Sequence, residues 1–424
     1  MPSATALCAA ILAALILIAY GLVLWRMCAW ETGATLGALA IVVVAAAWVR
    51  FCPGAPIRYA PDDECSIFAL ALQLYSTPDP RVLLGDTGGP PALLYIVFGA
   101  QWFPWIGTAA LRGYSSVCGV LACIGTFAVC RALHMRRLPA WIAAAAQALL
   151  PWAIFYGRTM QGGEFFWHSS IVLWGLAIAL TGRWRPAVAA GAVAFGLWLL
   201  LYDYYAGRAM PYMVLASVPW LPRTARRAIV SAVAVAVGLY LCAALTVPYT
   251  ANGHTLRLAG FVPLPEPPGL LMPPSQRTAP LSVQRLRDTV LALGDRTHSR
   301  SFFMSVPLVV EHPWWLLALM AVGFCVGRPR GWLLAVFAAS LLPAISGYAV
   351  VSTHRMLLTL PLLPLALGWA LDAISLTGLR SAACAVVALA LVQIGPLRYF
   401  TPEYAAAFTQ YSSNVADWVP YWRH

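Results

Sequence analysis

The sequence contains no lysine; each of its 27 cationic side chains is an arginine. That absence excludes a phosphate-binding P-loop, whose lysine reaches the phosphates, and any Schiff-base chemistry on a lysine amine. Charge of either sign is scarce, at 10% of residues, against roughly 25% in a soluble globular domain. A water-facing exterior would have too little to present, so a soluble fold is excluded. There is also no HExxH motif, no glycine-rich nucleotide loop, no N-glycosylation sequon and no metal-ligand spacing of cysteines. No internal repeat of the kind that marks many transporters is present.

What is there is apolar. Hydrophobic residues make up 61% of the 424, with a mean hydropathy of +0.76. Runs long enough to cross about 30 Å of hydrocarbon recur along the chain. Spans are expected near 5–25, 33–49, 109–130, 138–156, 165–182, 186–202, 204–221, 228–249, 313–327, 331–349, 356–374 and 381–397. The apolar segment 90–107 is placed on the membrane surface, because a crossing there would move every later loop to the side its charge forbids. The expected fold is an all-α polytopic membrane bundle of about 12 transmembrane helices with extracytoplasmic juxtamembrane helices. It occupies residues 1–398, outer loops 50–108 and 250–312 included, and a short extracytoplasmic tail follows at 399–424.

The arginines set the orientation. One alternating set of loops holds Arg131, Arg136 and Arg137, then Arg183 and Arg185, then Arg223, Arg226 and Arg227, then Arg328 and Arg330, then Arg380. By the positive-inside rule these loops are cytoplasmic. The net charge of +12 is thereby explained as topology, and nucleic acid is not an expected partner. Thirteen of the 15 acids fall on the opposite side; Glu31 and Asp372 are the exceptions and sit beside span ends. An even number of spans puts both termini outside, and residues 1–20 read either as a first span or as a signal-like segment. Most of the ten cysteines lie in apolar runs, where the thiol behaves as a small hydrophobe. Cys52 and Cys65 instead share an outer loop, where a disulfide is compatible with the oxidising side.

The outer side carries the polar chemistry. Asp62, Asp63 and Glu64 are three adjacent carboxylates beside the membrane, read either as a site that takes a cation or a proton or as a solvated turn. Glu164 opens the fifth span, where the helix dipole favours a carboxylate; Arg158 is either its ion-pair partner or a phosphate ligand. Asp203 and Arg208 lie close in sequence and read as a local pair. Arg355 either snorkels to the headgroups or joins other arginines in a phosphate site, since guanidinium forks match phosphate oxygens. His168 stands four residues beyond Glu164 on one helix face, so the two are candidates to share a ligand or a divalent metal. His298, His312 and His354 are also on the outer side. A stretch with Leu286, Val290 and Leu293 at helical spacing reads as an interfacial amphipathic helix.

Taken in order, these motifs resemble the GT-C superfamily of membrane glycosyltransferases. The likeness is to the bacterial glycosyltransferase family 39 type, which is similar to protein O-mannosyltransferases and lipid A aminoarabinose transferases. The residues that carry it are Asp63-Glu64, the stretch 90–107, Ala110-Leu111-Arg112-Gly113-Tyr114-Ser115 and Arg158…Glu164. Further along come Tyr204-Tyr205-Ala206-Gly207-Arg208-Ala209-Met210-Pro211, Leu341-Leu342-Pro343-Ala344-Ile345-Ser346 and His354-Arg355-Met356-Leu357 with Pro361. The sequence departs from the pattern in an extra span before the acidic loop, in the additional Asp62, and in Glu164 where relatives often have Asp.

The resemblance implies an inverting transfer of a sugar from a polyprenyl-phosphate donor to a hydroxyl or amine on a lipid, glycan or protein acceptor outside the membrane. On that reading Asp63 is the base, supported by Glu64 or Asp62, and Glu164 is a second carboxylate. Arg208 and Arg355, with Arg158, hold the donor phosphate. A divalent metal would fall to Asp62, Glu164 and His168. The alternative is a polytopic transporter or flippase for a lipid-linked sugar, which should place ionisable groups at mid-membrane depth rather than at span ends.

Overall fold

Inside hydrocarbon every backbone N–H and C=O must find its partner within the protein, so apolar runs of this kind fold as helices. The computed structural model describes residues 4–29, 31–51, 108–158, 162–203, 205–246, 287, 291, 314–342 and 357–396, and these are helical with no strand among them. The helices are α1 (Ala4–Cys28), α2 (Gly33–Phe51), α3 (Thr108–Ala132), α4 (Arg137–Leu149), α5 (Pro151–Tyr156), α6 (Gly162–Thr181) and α7 (Pro186–Asp203). After 3-10 turns at Tyr205–Ala209 and Val218–Trp220, which flank α8 (Met210–Ser217), come α9 (Arg223–Thr246), α10 (Trp314–Val326), α11 (Trp332–Ser340), α12 (Leu362–Asp372) and α13 (Thr377–Ile394).

Every expected span coincides with helical residues. Six of these helices are long and apolar enough to cross a membrane, and α2, α10 and α12 hold shorter apolar stretches. The chain is a multi-pass membrane protein. Two expected spans are not single helices, for a local reason. Span 138–156 breaks where Leu150 is extended (φ −62°, ψ 141°) ahead of Pro151, because proline disfavours helical backbone in the residue before it. Span 204–221 is cut into a short helix between 3-10 turns, with Pro211 and Pro219 in the opening turns of α8 and of the second 3-10 segment. Acidic loop 52–107 and tail 399–424 lie outside the described residues, as do the expected surface segments. Arg287 and Leu291, from the expected interfacial helix, are both helical.

The central helix is α6. It is buried over almost its whole length and packs mainly on α3 and α7, which in turn packs on α9; α4 joins α3 to α12, and α12 holds α10. By contrast α1 and α13 present most of their surface outward, with Ile11, Leu15, Ile18 and Leu22 exposed on α1. Lipid tails are as apolar as leucine, so these helices associate by close packing rather than by a hydrophobic drive. The α3–α6 pair shows how. A Cβ at Gly163 would overlap the Ser115 carbonyl, and one at Gly125 would overlap the Ser170 side chain. The Gly163 N–H donates to Ser115 Oγ at 2.9 Å. At its other end α6 is followed by Gly182 at φ +62°, the left-handed position that lets a helix stop and turn.

The arginine-bearing loops meet at one end of the bundle. Glu31 accepts from Arg131 Nε at 2.6 Å and faces Arg137 Nε at 3.7 Å. Arg136 pairs with Asp372, its backbone N–H donating to Oδ1 at 3.1 Å. Arg183 donates to the Arg131 carbonyl at 2.9 Å, and Trp220 Nε1 to that of Arg330 at 2.9 Å. Both acids expected at this end are therefore counter-ions to arginine. Partial burial, then Arg183 and Arg131 nearby, hold the His134 imidazole below its ordinary pKa.

Candidate functional site

At the opposite end five charged side chains are buried among the described residues: Arg50, taken up below, and Glu164 at 0% exposure, Arg208 at 3%, Asp203 at 4% and Arg158 at 9%. Sequence locality explains how each gets there. Arg158 follows Gly157, which caps the short helix α5, and its N–H donates to the Phe155 carbonyl at 2.9 Å. Glu164 lies in the first turn of α6, where backbone N–H groups and the dipole favour a negative charge. That turn is pressed against α3 by Gly163 and against the end of α5 by Gly162, whose Cβ position is taken by the Tyr156 backbone. Asp203 is the last residue of α7, and Arg208 lies in the 3-10 turn that follows. The Arg208 guanidinium stands 5.6 Å from the centroid of Tyr240 on α9, which packs edge-on to Tyr202 at 5.0 Å.

Asp203 has a different partner from the local one expected. Its Oδ2 pairs with His168 Nδ1, tying the end of α7 to the second turn of α6. His168 Nε2 meets the Tyr20 hydroxyl of α1, and that hydroxyl lies 3.2 Å from the hydroxyl of Tyr114 on α3. Four helices thus share one buried polar chain. Asp203 Oδ1 is buried with no hydrogen-bond partner among the described residues. Both ring nitrogens of His168 are thus engaged, by Asp203 and by Tyr20. Among the described residues no group of three or more His, Cys, Asp or Glu is arranged to hold a metal ion.

One buried arginine at this end was missed by sequence reasoning. Arg50, at the end of α2, is buried and donates to the carbonyls of Ala46 (3.1 Å), Ala148 (3.2 Å), Gln147 (3.3 Å) and Ala153 (3.2 Å). Carbonyls at the end of a helix lack intrahelical donors, and the α4–α5 break creates such a set. Gly119 and Gly157 leave the room, since a Cβ at either would crowd Arg50 Nε, at 2.7 and 2.5 Å. Arg50 thus satisfies the break in the helix that leads to Arg158. Its sequence signal is an arginine directly after a long apolar run on the acid-rich side, where a snorkelling arginine would give the same pattern.

Of the expected site residues, Arg158, Glu164 and Arg208 are brought to this one end. Asp62, Asp63, Glu64 and Arg355 lie outside the described residues. No family model matches the sequence, and no curated protein sequence is similar to it. Solved structures of the oligosaccharyltransferase from the archaeon Archaeoglobus fulgidus are similar at low identity. A complex of that enzyme, AglB, with an inhibitory peptide and a dolichol-phosphate aligns with a TM-score of 0.49 and 14% identity over 90% of this chain and 56% of that one. A complex with Zn and sulfate gives 0.48 and 14% over 89% and 53%. A form tethered to an acceptor peptide containing the NVT sequon gives 0.48 and 13% over 91% and 56%. The chain spans a little over half the length of those proteins.

Proposed function

We propose that the chain is a GT-C membrane glycosyltransferase that moves a sugar from a polyprenyl-phosphate donor to an acceptor on the extracytoplasmic face. The observation that carries this reading is the burial of two arginines and two carboxylates at the acid-rich end of the bundle. Ionisable groups are costly within a membrane protein and are kept where they act. The motif order that resembles the family 39 type runs through the same residues, and a bacterial inner membrane with the site on the periplasmic face follows from that resemblance.

In the proposed reaction Asp63 takes the proton of an acceptor hydroxyl as the oxygen attacks the anomeric carbon. The carbon–oxygen bond to the lipid phosphate breaks with inversion, and the phosphate leaves with the electron pair. General-base help of this kind is worth about 10²–10⁴-fold. Arg208, with Arg158 and Arg355, offsets the charge that grows on the departing phosphate, usually the larger effect. Glu164 orients the acceptor or, with Asp62, holds a divalent cation; activity after chelation and re-addition of metal separates these roles.

A second reading has one observation in its favour. His168 is fully buried one helical turn deeper in α6 than Glu164, an ionisable group within the bundle of the kind a flippase for a lipid-linked sugar would use. The test is a strain producing Glu164→Gln at normal membrane levels. Transferase function is expected to abolish the glycan product and leave donor accumulating on the outer face, accessible to labelling in intact cells. Donor accumulating on the inner face would favour the flippase, and unchanged glycan and donor pools would reject both.

A further inference from the structure

We infer that Tyr114, Tyr20, His168 and Asp203 form a positioning network that fixes the Glu164 end of α6 against the turn carrying Arg208, with His168 as its bridge. The inference rests on the reading of Arg208 as a donor-phosphate ligand.

Connectivity comes first. His168 is one helical turn beyond Glu164, and Asp203 is the last residue of α7, just before the turn that contains Arg208. That turn is not free to swing about Asp203, because Gly207 sits so close to α7 that a Cβ would overlap the Leu200 carbonyl. Whatever holds Asp203 therefore holds the Arg208 turn. On the other side, α6 is locked to α3 through Gly163 and Ser115, and Tyr114 precedes Ser115. One chain of side chains therefore links both elements that carry the charged groups.

Polarity comes second. A carboxylate only accepts, so Nδ1 of His168 must donate to Asp203. His168 Nε2 then faces the Tyr20 hydroxyl, and that hydroxyl in turn faces the hydroxyl of Tyr114. Tyr20 is buried with Ile16 and Met27 on the inward face of α1, against the rings of Trp167 at 5.8 Å and Phe195 at 6.0 Å. His168 is itself fully buried, so it acts through the elements it joins rather than on a substrate.

The experiment compares wild type, His168→Ala and His168→Gln in lipid nanodiscs by hydrogen exchange and by binding of a long-chain polyprenyl phosphate. Glutamine can donate to Asp203 and accept from Tyr20, but it cannot serve as an imidazole base. In His168→Ala, amide exchange in residues 162–170 and 203–212 is expected to quicken about tenfold while the other helices keep their protection. Affinity for the lipid phosphate should fall about tenfold as the competent arrangement becomes a minor population. His168→Gln should stay within about threefold of wild type in both. Unchanged exchange in His168→Ala, loosening spread evenly over all helices, or failure of glutamine to restore order would each overturn the network. If wild type binds no polyprenyl phosphate, the donor reading falls and the exchange pattern alone decides. Should His168→Ala not reach the membrane, Tyr20→Phe removes one link and is judged by the same two measurements.

Discussion

The two ends of the bundle handle charge in opposite ways. At the arginine-rich end the pairs are numerous and half-exposed: the Arg136 side chain is 52% and Arg137 50% exposed, and Arg131 and Arg137 share Glu31. At the other end Arg50, Arg158, Glu164, Asp203 and Arg208 are buried, and each has its own place in the fold. Redundant exposed charge suits a task that needs only a sum, and orientation in the membrane is such a task. Singular buried charge suits a task that needs geometry. The contrast is read from this chain alone, without reference to any relative.

The sharpest way to break this comparison is to remove Arg50. Arg50→Ala removes the guanidinium donor to the carbonyls of Gln147 and Ala148, leaving Ala153 only the Gly157 N–H, and should cost about 3 kcal/mol or more, read as a lower unfolding midpoint in micelles. A loss no larger than that of an exposed arginine would erase the distinction between the ends. Next is Gly163→Ala, which drives a methyl into the Ser115 backbone and should cost about 1–3 kcal/mol. Gly238→Ala, with nothing within 4 Å, is its control and should gain about 0.4–1 kcal/mol. On the arginine-rich side, Glu31→Gln should cost about 1–2 kcal/mol, between an exposed and a buried pair, and Arg136→Ala less than about 1 kcal/mol. The smallest effect concerns His134. Its folded pKa lies below the ordinary value of 6.5, so the neutral ring is favoured in the fold. Its contribution is complete above that ordinary value and is lost as pH falls toward the folded pKa, which an NMR titration of the ring would follow.

Much of the fold was legible because hydrocarbon enforces it. Apolar runs located the helices, and arginine-bearing loops gathered at one end as their alternation required. Breaks within spans followed from Pro151, Pro211 and Pro219, readable as local backbone restrictions. What escaped was the choice among partners. Asp203 has Arg208 five residues away, yet its tie is to His168 across a helix interface; His168 has Glu164 on its own helix, yet its nitrogens face Asp203 and Tyr20. Sequence spacing ranks neighbours along a helix, whereas these pairings depend on how deeply α6 and α7 overlap. A tyrosine in the otherwise apolar stretch of α1 was the one advance sign, since an aromatic hydroxyl at that depth needs a partner.

The close approach of α3 and α6 has a mechanical consequence. At Gly163 the α6 backbone meets the Ser115 carbonyl, and farther along the shared interface Gly125 of α3 meets the Ser170 side chain. Two such stops fix the sliding coordinate of the pair in both directions, so neither helix can act as a piston against the other. The two behave as a single beam through the bundle, with Glu164 at its tip. Any opening that admits a lipid-borne molecule must then be a swing of the surrounding helices about that beam, and the beam itself supplies the fixed frame of reference.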